Sequence, residues 1–526
     1  MFSTVISGAI HGITSYLMQV EVDAADGLPA FNMVGLPSAE VREAGERVKV
    51  ALKNSGIRIP PMHITVNLSP ADIRKEGAAV DLPVALGILL SMGEIAENAL
   101  LDTMVIGELG LDGEVKGVKG VLPIVQEAQR KGCKTCIVPL VNAREGAVIQ
   151  NIRIIGVKSL QEAITFLQAN SREQDQMIAP TKVSISGIFS EAVQEYTLDF
   201  AEVNGQAAAR RAVEIAAAGF HHVLMIGPPG SGKSMIAKRI PTILPPLALS
   251  ESLEVSAIYS VAGLLKSDEA MITKRPFMNP HHSITDTALA GGGRIPQPGI
   301  ISLAHRGVLF LDEMAEFHRP TLDLMRQPLE DRIVHIARNG GTFSYPADFM
   351  LVGALNPCPC GYYPDRNRCR CTPREIAKYL GHISGPILDR IDLCVEVPGI
   401  AVEELGITQA RNESSSLIRT RVRQAREKQR IRFQGTGLHF NSDMGPKDIE
   451  KYCRLGIREK RILEQIFHSM NLSARAYHRI IKVARTIADL DGEAQISEMH
   501  LTEASCYRLS DTQYGKEHQM DAGEII

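Results

Sequence analysis

The chain has 526 residues, 44% hydrophobic and 22% charged, with a formal net charge of −3. That is an ordinary globular composition, long enough for about three domains of roughly 150 residues, and its overall charge excludes nucleic-acid binding by anything but a local basic surface. No run reaches the roughly eighteen uncharged apolar residues of a membrane helix, Met1–Ser7 lacks the positive region of a signal peptide, and four of nine cysteines sit in one short loop, so a reducing, cytoplasmic setting is expected.

Residues 1–168 alternate short β-like runs with helical stretches. Tyr16–Val22 and His63–Leu68 read as strands by alternation and β-branching, Ala39–Ser55 and Leu82–Met92 as helices, together forming a separate α/β domain. A polar stretch, Ala169–Gln176, followed by Pro180, reads as a linker over 169–199. Residues 200–400 return to alternating strands and helices. From 401 to 510 strand signals vanish and helical periodicity dominates, and 511–526 reads as a polar, frayed tail.

The second region carries Gly227-Pro228-Pro229-Gly230-Ser231-Gly232-Lys233-Ser234, between the apolar run His222–Ile226 and the helix-prone Met235–Ile240. A strand, a glycine-rich turn and a helix start are what a phosphate cradle needs. The glycines let backbone N–H groups close on phosphate oxygens, and the helix N-terminus adds a positive dipole end. In that arrangement Lys233 reaches the β- and γ-phosphates of ATP and Ser234 ligates Mg²⁺.

Gly307–Leu311 reads as a buried strand tipped by two carboxylates, with Asp312 placed to hold Mg²⁺ through water and Glu313 to polarise the attacking water. A third apolar run, Phe349–Leu355, ends at Asn356, whose amide can orient that water or sense the γ-phosphate. Arg390, in Ser384–Leu393, sits between two aspartates. It is either an arginine finger for a neighbouring subunit's ATP, worth about 10³–10⁵ in rate, or a local ion pair with Asp389 or Asp392. Ser473 reads as the N-cap of a helix with Arg475 in its first turn, where the dipole disfavours a cation, so γ-phosphate is the candidate ligand.

Cys358-x-Cys360 and Cys369-x-Cys371 bracket eight residues in the loop 358–371. Four thiolates can close tetrahedrally on Zn²⁺ and staple a loop that has no core, although one-residue spacers are tighter than usual. Reduced free thiols or redox pairing are the alternatives. Cys133 and Cys136 read as two semi-buried cysteines. Ile418–Arg432 is dense in cations and reads either as a nucleic-acid surface or as a solvated helix face.

These motifs, in this order, resemble the AAA+ ATPases, and more narrowly the magnesium-chelatase ChlI-like group and its bacterial competence-protein (ComM/YifB) branch. Pro280–Ser283, Ala290–Gly293, Pro298–Ala304 and Asn356–Gly361 carry the narrower likeness. The resemblance implies an α/β protein with a P-loop AAA+ core, a parallel sheet between helices, preceded by a ribosomal-S5-like (Lon-like) domain and followed by a helical lid. It implies that Asp199–Gln206 lies along the adenine pocket. Ala288–Gly299 would match a helix-2 insert, and Arg332–Ser344 a β-hairpin with Asn339–Gly341 as its turn, both facing a central pore. Arg294 and Arg338 in those elements become candidates for phosphate contacts to DNA, which need charge but no base readout.

Residues 21–140 resemble the domain that Lon proteases use for catalysis. Where Lon carries its serine this chain reads Gly77-Ala-Ala-Val-Asp81, and the lysine position falls on Leu122, so no acyl-transfer nucleophile is expected. The resemblance implies a homo-oligomeric, hexameric motor that unwinds or branch-migrates single-stranded or branched DNA during uptake and recombination, alongside recombination proteins and without a membrane. A chelatase-type motor or a remodeller of another protein would use the same ATPase core.

Overall fold

The computed structural model describes residues 2–192, 197–338, 341–399, 412–470 and 472–508. The tail expected over 511–526, the start of the helical region at 401–411 and residues 339–340 of the hairpin turn lie outside the described residues.

The amino-terminal domain is built on a seven-stranded sheet in the order Ala30–Val34, Met62–Ser69, Thr14–Asp26, Phe2–His11, Thr103–Val105, Thr135–Pro139, Arg153–Val157. Val20, Val22, Val66 and Leu68 alternate inward along their strands and meet the wholly buried helix Asp81–Ser91. The stretch expected as one helix is two, Ala39–Arg42 and Ala44–Asn54, joined at Glu43, whose backbone stays helical. The expected linker is not extended. Helices Ser171–Met177 and Ile185–Ala192 occupy it, and Val183, Ile188 and Phe189 pack against the domain's second core. Its polar composition hid these apolar anchors.

The second module is a five-stranded parallel sheet in the order Phe277–Met278, Val308–Leu311, Met350–Leu355, Val223–Ile226, Leu393–Glu396. Its central strands are near-continuous apolar runs because both faces are covered. Val223 and Met225 face one core with Val352 and Ala354, while Leu224 and Ile226 face the other with Leu351 and Leu355. The first core extends into the carboxy-terminal helices through Ile480, Val483, Ile487 and Leu501, so the lid shares a hydrophobic interior with the sheet.

The cation-dense helix Ser415–Arg432 is neither a bare solvated face nor a free basic surface. Arg421 pairs with Glu214 and Glu413, Arg432 with Asp489, and Arg426 donates to the Ala217 carbonyl while lying 4.5 Å from the Phe440 ring centre. Burial pulls the Arg426 pKa down to about 9. Arg421 and Arg426 fasten lid to core, while Arg432 ties two lid helices together.

Helix Leu249–Ala262 packs on Val121–Arg130 and joins the two domains. At this seam the buried Glu145 carboxylate accepts the Leu122 N–H at 2.9 Å, the Asn142 amide at 3.1 Å and the Ser260 hydroxyl. Glu145→Ala leaves two buried donors without an acceptor and is expected to destabilise the protein by about 2 kcal/mol or more, measured by urea denaturation. Burial raises the Glu145 pKa above the usual carboxylate value. Its contribution is therefore full below the ordinary carboxylate pKa and falls as pH climbs through the raised one. The gap between parent and variant should narrow accordingly, and a constant gap would count against this assignment.

Candidate functional site

The phosphate loop leaves the strand Val223–Ile226 and enters the helix Lys233–Ile243. Gly230 and Gly232 have φ of +75° and +92°, the left-handed turn that a side chain disfavours. A Cβ on Gly227 would sit 2.0 Å from the Val397 carbonyl oxygen, so the loop start is pressed against the chain following the neighbouring strand. Pro228 and Pro229 fill the outside of the turn, and Ser231 is buried within it.

Lys233 is 7% exposed, and its Nζ donates to the carbonyls of Gly227 at 2.6 Å and Pro228 at 2.9 Å and to Asn356 Oδ1 at 3.2 Å. Desolvation lowers its pKa, opposed by Asp312 and Glu313. Asn356 therefore stands at the lysine, at the tip of the strand Met350–Leu355. Ser234 Oγ donates to Asp312 Oδ2 at 2.7 Å. A hydroxyl and a carboxylate oxygen in contact at the mouth of a phosphate loop are the hard donors Mg²⁺ takes. Glu313 follows with φ of +50°, rare for a residue with a side chain, and its carboxylate is exposed. Its N–H donates to Asp312 Oδ1 at 3.1 Å. The segment expected along adenine is tied to the same loop, since Gln206 Nε2 donates to the Ser231 and Pro398 carbonyls.

The two remaining expected residues stand elsewhere. Arg390 donates to the Pro386 carbonyl at 2.7 Å and pairs with Glu330, neither of the two aspartates considered. Glu330 lies sixty residues earlier, and no local pattern announces it. Ser473 caps its helix by accepting the Ala476 N–H, and Arg475, 66% exposed, lies 3.8 Å from Asp389. Among the described residues no hydrogen bond or ion pair joins Arg390 or Arg475 to residues 227–234, Asp312 or Glu313. The pair Arg475–Asp389 instead brings the two arginines to one face.

The four loop cysteines converge. Their sulfurs all lie within 4.8 Å of one another, with Cys358–Cys360 at 3.3 Å and Cys358–Cys369 at 3.7 Å. A tetrahedral centre with metal–sulfur bonds of about 2.3 Å requires sulfurs about 3.8 Å apart, so the set could bind a metal. The Tyr362 backbone N–H and the neighbouring thiols pull the Cys360 pKa down to about 6. A Cβ on Gly361 would meet Pro229 Cδ at 2.4 Å, so the cysteine loop packs directly on the phosphate loop, a contact no motif signals. Cys133 and Cys136 are both buried.

Arg294 and Arg338 line one cavity of about 960 Å³ between the amino-terminal domain and the second module. Their hairpins are adjacent, with Arg338 Nη2 3.1 Å from where a Gly292 Cβ would lie. Six cations and five carboxylates line the cavity, and Arg294 sits 3.6 Å from Glu40. Lys75 is 1% exposed at its wall and donates to the Pro70 carbonyl rather than to a hydroxyl. Asp81, ending the segment that stands in for Lon's serine motif, is clamped by Arg47 at 2.8 and 2.9 Å, and Leu122 is apolar and buried.

Residues 199–405 match the family Magnesium chelatase, subunit ChlI, residues 20–142 match Subunit ChlI of Mg-chelatase, and residues 412–508 match Magnesium chelatase, subunit ChlI C-terminal. Competence protein ComM of Haemophilus influenzae is 41% identical over 508 residues, 96% of this chain and 97% of that protein. The uncharacterized protein YifB of Escherichia coli is 41% identical over 509 residues, 97% of each. Lon protease 2 of Bacillus subtilis is 29% identical over 268 residues, 45% of this chain and 47% of that protease. The chain belongs to the ComM/YifB-type, ChlI-like AAA+ ATPases, a family whose members bind ATP and Mg²⁺. Among the described residues no helix is long and apolar enough to cross a membrane.

Two substitutions separate binding from chemistry. Lys233→Ala is expected to abolish ATP binding, measured by fluorescent-nucleotide titration. Glu313→Gln should keep ATP bound while hydrolysis falls by about 10²–10⁴-fold, the usual worth of a general base. A Glu313→Gln protein that turns over at the parent rate would remove Glu313 from this role.

Proposed function

We propose that the chain is the protomer of an ATP-driven ring, a hexamer, that moves along single-stranded or branched DNA and serves DNA uptake and recombination. The observation that carries this reading is the division of the hydrolysis set. Lys233, Ser234, Asp312, Glu313 and Asn356 gather at one set of strand tips, while Arg390 and Arg475 share another face tied to Asp389 and Glu330. A phosphoryl-transfer site gains rate from an arginine at the developing charge, and among the described residues Arg390 and Arg475 are bonded to neither the phosphate loop nor Asp312 and Glu313, as expected if a second copy receives them. Hydrolysis in one protomer then acts on its neighbour. Glu330 holds the Arg390 guanidinium until the neighbouring nucleotide competes for it.

DNA is the favoured track because Arg294 and Arg338 are carried on two adjacent hairpins, and phosphate contacts suit movement on any sequence. The name of the Haemophilus influenzae relative, a competence protein, supports the same setting. A remodeller of a partner protein is the second reading, favoured by the mixed charge of the cavity holding both arginines, which is not the one-signed channel nucleic acid prefers.

We further propose that the four loop cysteines hold structural Zn²⁺. The support is their mutual spacing and the smallness of the cluster they sit in, Cys358, Cys369 and Ile376 with Tyr362, Tyr363 and Leu380 packed on it. Through Gly361 on Pro229 the metal would brace the phosphate loop. Arg390 and Arg475 would act on the terminal phosphate of the adjacent copy, Asn356 on the water within its own.

Mixing Arg390→Ala protein with Lys233→Ala protein should restore ATPase activity that neither has alone. Silence at every ratio sinks action between subunits. DNA should stimulate the parent ATPase in a salt-sensitive way, and Arg294→Ala with Arg338→Ala should flatten the salt slope. Stimulation by protein alone would favour the second reading. Elemental analysis should find one zinc per chain, lost when the four cysteines become Ser, with ATP affinity reduced at least several-fold. Zinc retained in that variant would refute the site.

A further inference from the structure

A second cavity, of about 140 Å³, lies in the seam between the ATPase core and the lid, away from the phosphate loop, Asp312 and Glu313. Arg332 and Arg390 reach it from the core, Arg479 and Lys482 from the lid helix Ala474–Asp491. At roughly 30 Å³ per water it has room for four or five waters, or for one tetrahedral oxyanion with a water or two.

The charges do not balance internally. Two carboxylates, Asp348 and Asp392, share the wall with these four cations; Arg390 is taken up by Glu330 outside the wall and Arg332 lies 3.6 Å from Asp348, so the surplus rests on Arg479 and Lys482. Asp348 is already engaged by Arg306 at 2.7 Å, and Asp392 by His221 at 3.0 Å. Arg332 binds Asp443 at 2.6 Å and Lys482 donates to the Ser442 carbonyl at 2.9 Å, each leaving further N–H donors. Arg479 has Nε 3.5 Å from Asp392, yet its buried Nη1 has no hydrogen-bond partner. A buried guanidinium N–H without an acceptor is costly, and so it points to a ligand. Burial lowers the pKa of both Lys482 and Arg479, each depressed further by neighbouring cations, which an anion would relieve. His222 also lines the space. Burial pulls its pKa down to about 4 and its Nδ1 accepts the Leu351 N–H, so it is a neutral ring rather than a fifth cation.

We propose that this seam is a phosphate-binding site, in which Arg479 and Lys482 from the lid and Arg332 from the core close on one tetrahedral oxyanion. Guanidinium forks suit such an anion through paired N–H donors, and its presence would tie lid to core across the seam. The ligand's chemistry is a phosphate group, free as the product of hydrolysis or terminal on a nucleotide. The site shares one wall residue with the motor reading, Arg390, which stays on Glu330 here; its ligands Arg332, Arg479 and Lys482 are outside the hydrolysis set, so either conclusion can fail alone.

The test uses the full-length Lys233→Ala protein, whose phosphate loop is disabled. Inorganic phosphate, titrated at constant ionic strength, should raise the thermal midpoint with saturation. Arg479→Gln or Lys482→Gln added to that background should weaken the apparent affinity by ten-fold or more. Chloride should give no saturating shift. ATP or ADP binding more tightly than phosphate would assign the group to a nucleotide, and equal or weaker binding to the free product. Because Arg479→Gln removes an ion pair with Asp392 and could unfold the seam, tungstate soaked into crystals of otherwise unaltered protein supplies an independent readout, with anomalous density expected between Arg479 and Lys482. Phosphate affinity unchanged in folded Lys482→Gln protein, or tungstate bound only at the phosphate loop of that crystal, overturns the proposal.

Discussion

The site depends on keeping one ammonium group charged while it is nearly sealed from water. Taking a cation out of water costs several kcal/mol even after relaxation. Lys233 offsets this with two loop carbonyls and the Asn356 amide oxygen, and the carboxylates of Asp312 and Glu313 favour its charged form. The acceptors come from the carboxyl ends of adjacent strands, so Val223–Ile226 must lie beside Met350–Leu355. Ser234 must also reach Asp312, whose strand is one further along. The strand order is therefore a condition of the chemistry as well as of packing. A sheet that exchanged those neighbours would keep its core and lose its phosphate cradle.

The same economy governs the lid. Its helices share an apolar core with the sheet, but a buried polar network sets their orientation. Asp392 accepts from His221, His221 meets Thr486, and Thr486 meets Asn441, which also bonds Asp489 beside Arg432 and Arg485. Displacing any member of such a chain leaves a buried partner without its bond, which narrows the core–lid geometry. The neutral core packing could tolerate a small rotation; the network could not. Movement of the lid must then carry the strand end at Asp392 with it. Asp392 lies two residues from Arg390, so a shift of the lid and a shift of the arginine are mechanically one event.

What the sequence revealed was what contiguous residues decide. The phosphate loop, the carboxylate pair after Leu311, Asn356 at a strand tip and the Ser473 cap each lie within a few residues of the backbone feature that places them. The cysteines converge as their pairing suggested because one short loop holds both pairs. Illegible was whatever depends on a distant partner. Arg390 turned to Glu330 rather than to its flanking aspartates, and the arginines of Ser415–Arg432 found Glu214, Asp489 and the Ala217 carbonyl. Cation density alone could not tell a clasp from a surface, because the acids that neutralise these arginines lie on other elements. The helices at Ser171–Met177 and Ile185–Ala192 were hidden for a similar reason. The second is held by Ile188 and Phe189 docking on a core assembled elsewhere, and Ile178, just after the first, packs on the domain's other core; the polar residues of Ala169–Gln176 carry no such signal.

The contact between the cysteine loop and the phosphate loop gives the nucleotide site a dependence that the strand tips alone would not. Pro229 is held from outside by Gly361, at a place where even a methyl group would collide. The loop carrying Gly361 buries a small cluster, Cys358, Cys369 and Ile376 with Tyr362 and Tyr363 half-buried beside them, so the sulfurs are at the centre of its packing. Four thiols in mutual contact do not ionise together, because each thiolate raises the cost of the next. A dication removes that repulsion and fixes the tetrahedron, whereas bare thiols leave the loop to weak S–H contacts. With a metal bound, Pro229 meets a firm wall and the loop glycines keep their left-handed turn. With the cysteines oxidised or emptied, that wall softens while the sheet, Lys233 and Asp312 stay where they are. If the four thiolates hold the proposed dication, its loss should appear first as weakened nucleotide affinity in a protein whose core remains folded, which separates a brace on the loop from a general structural role.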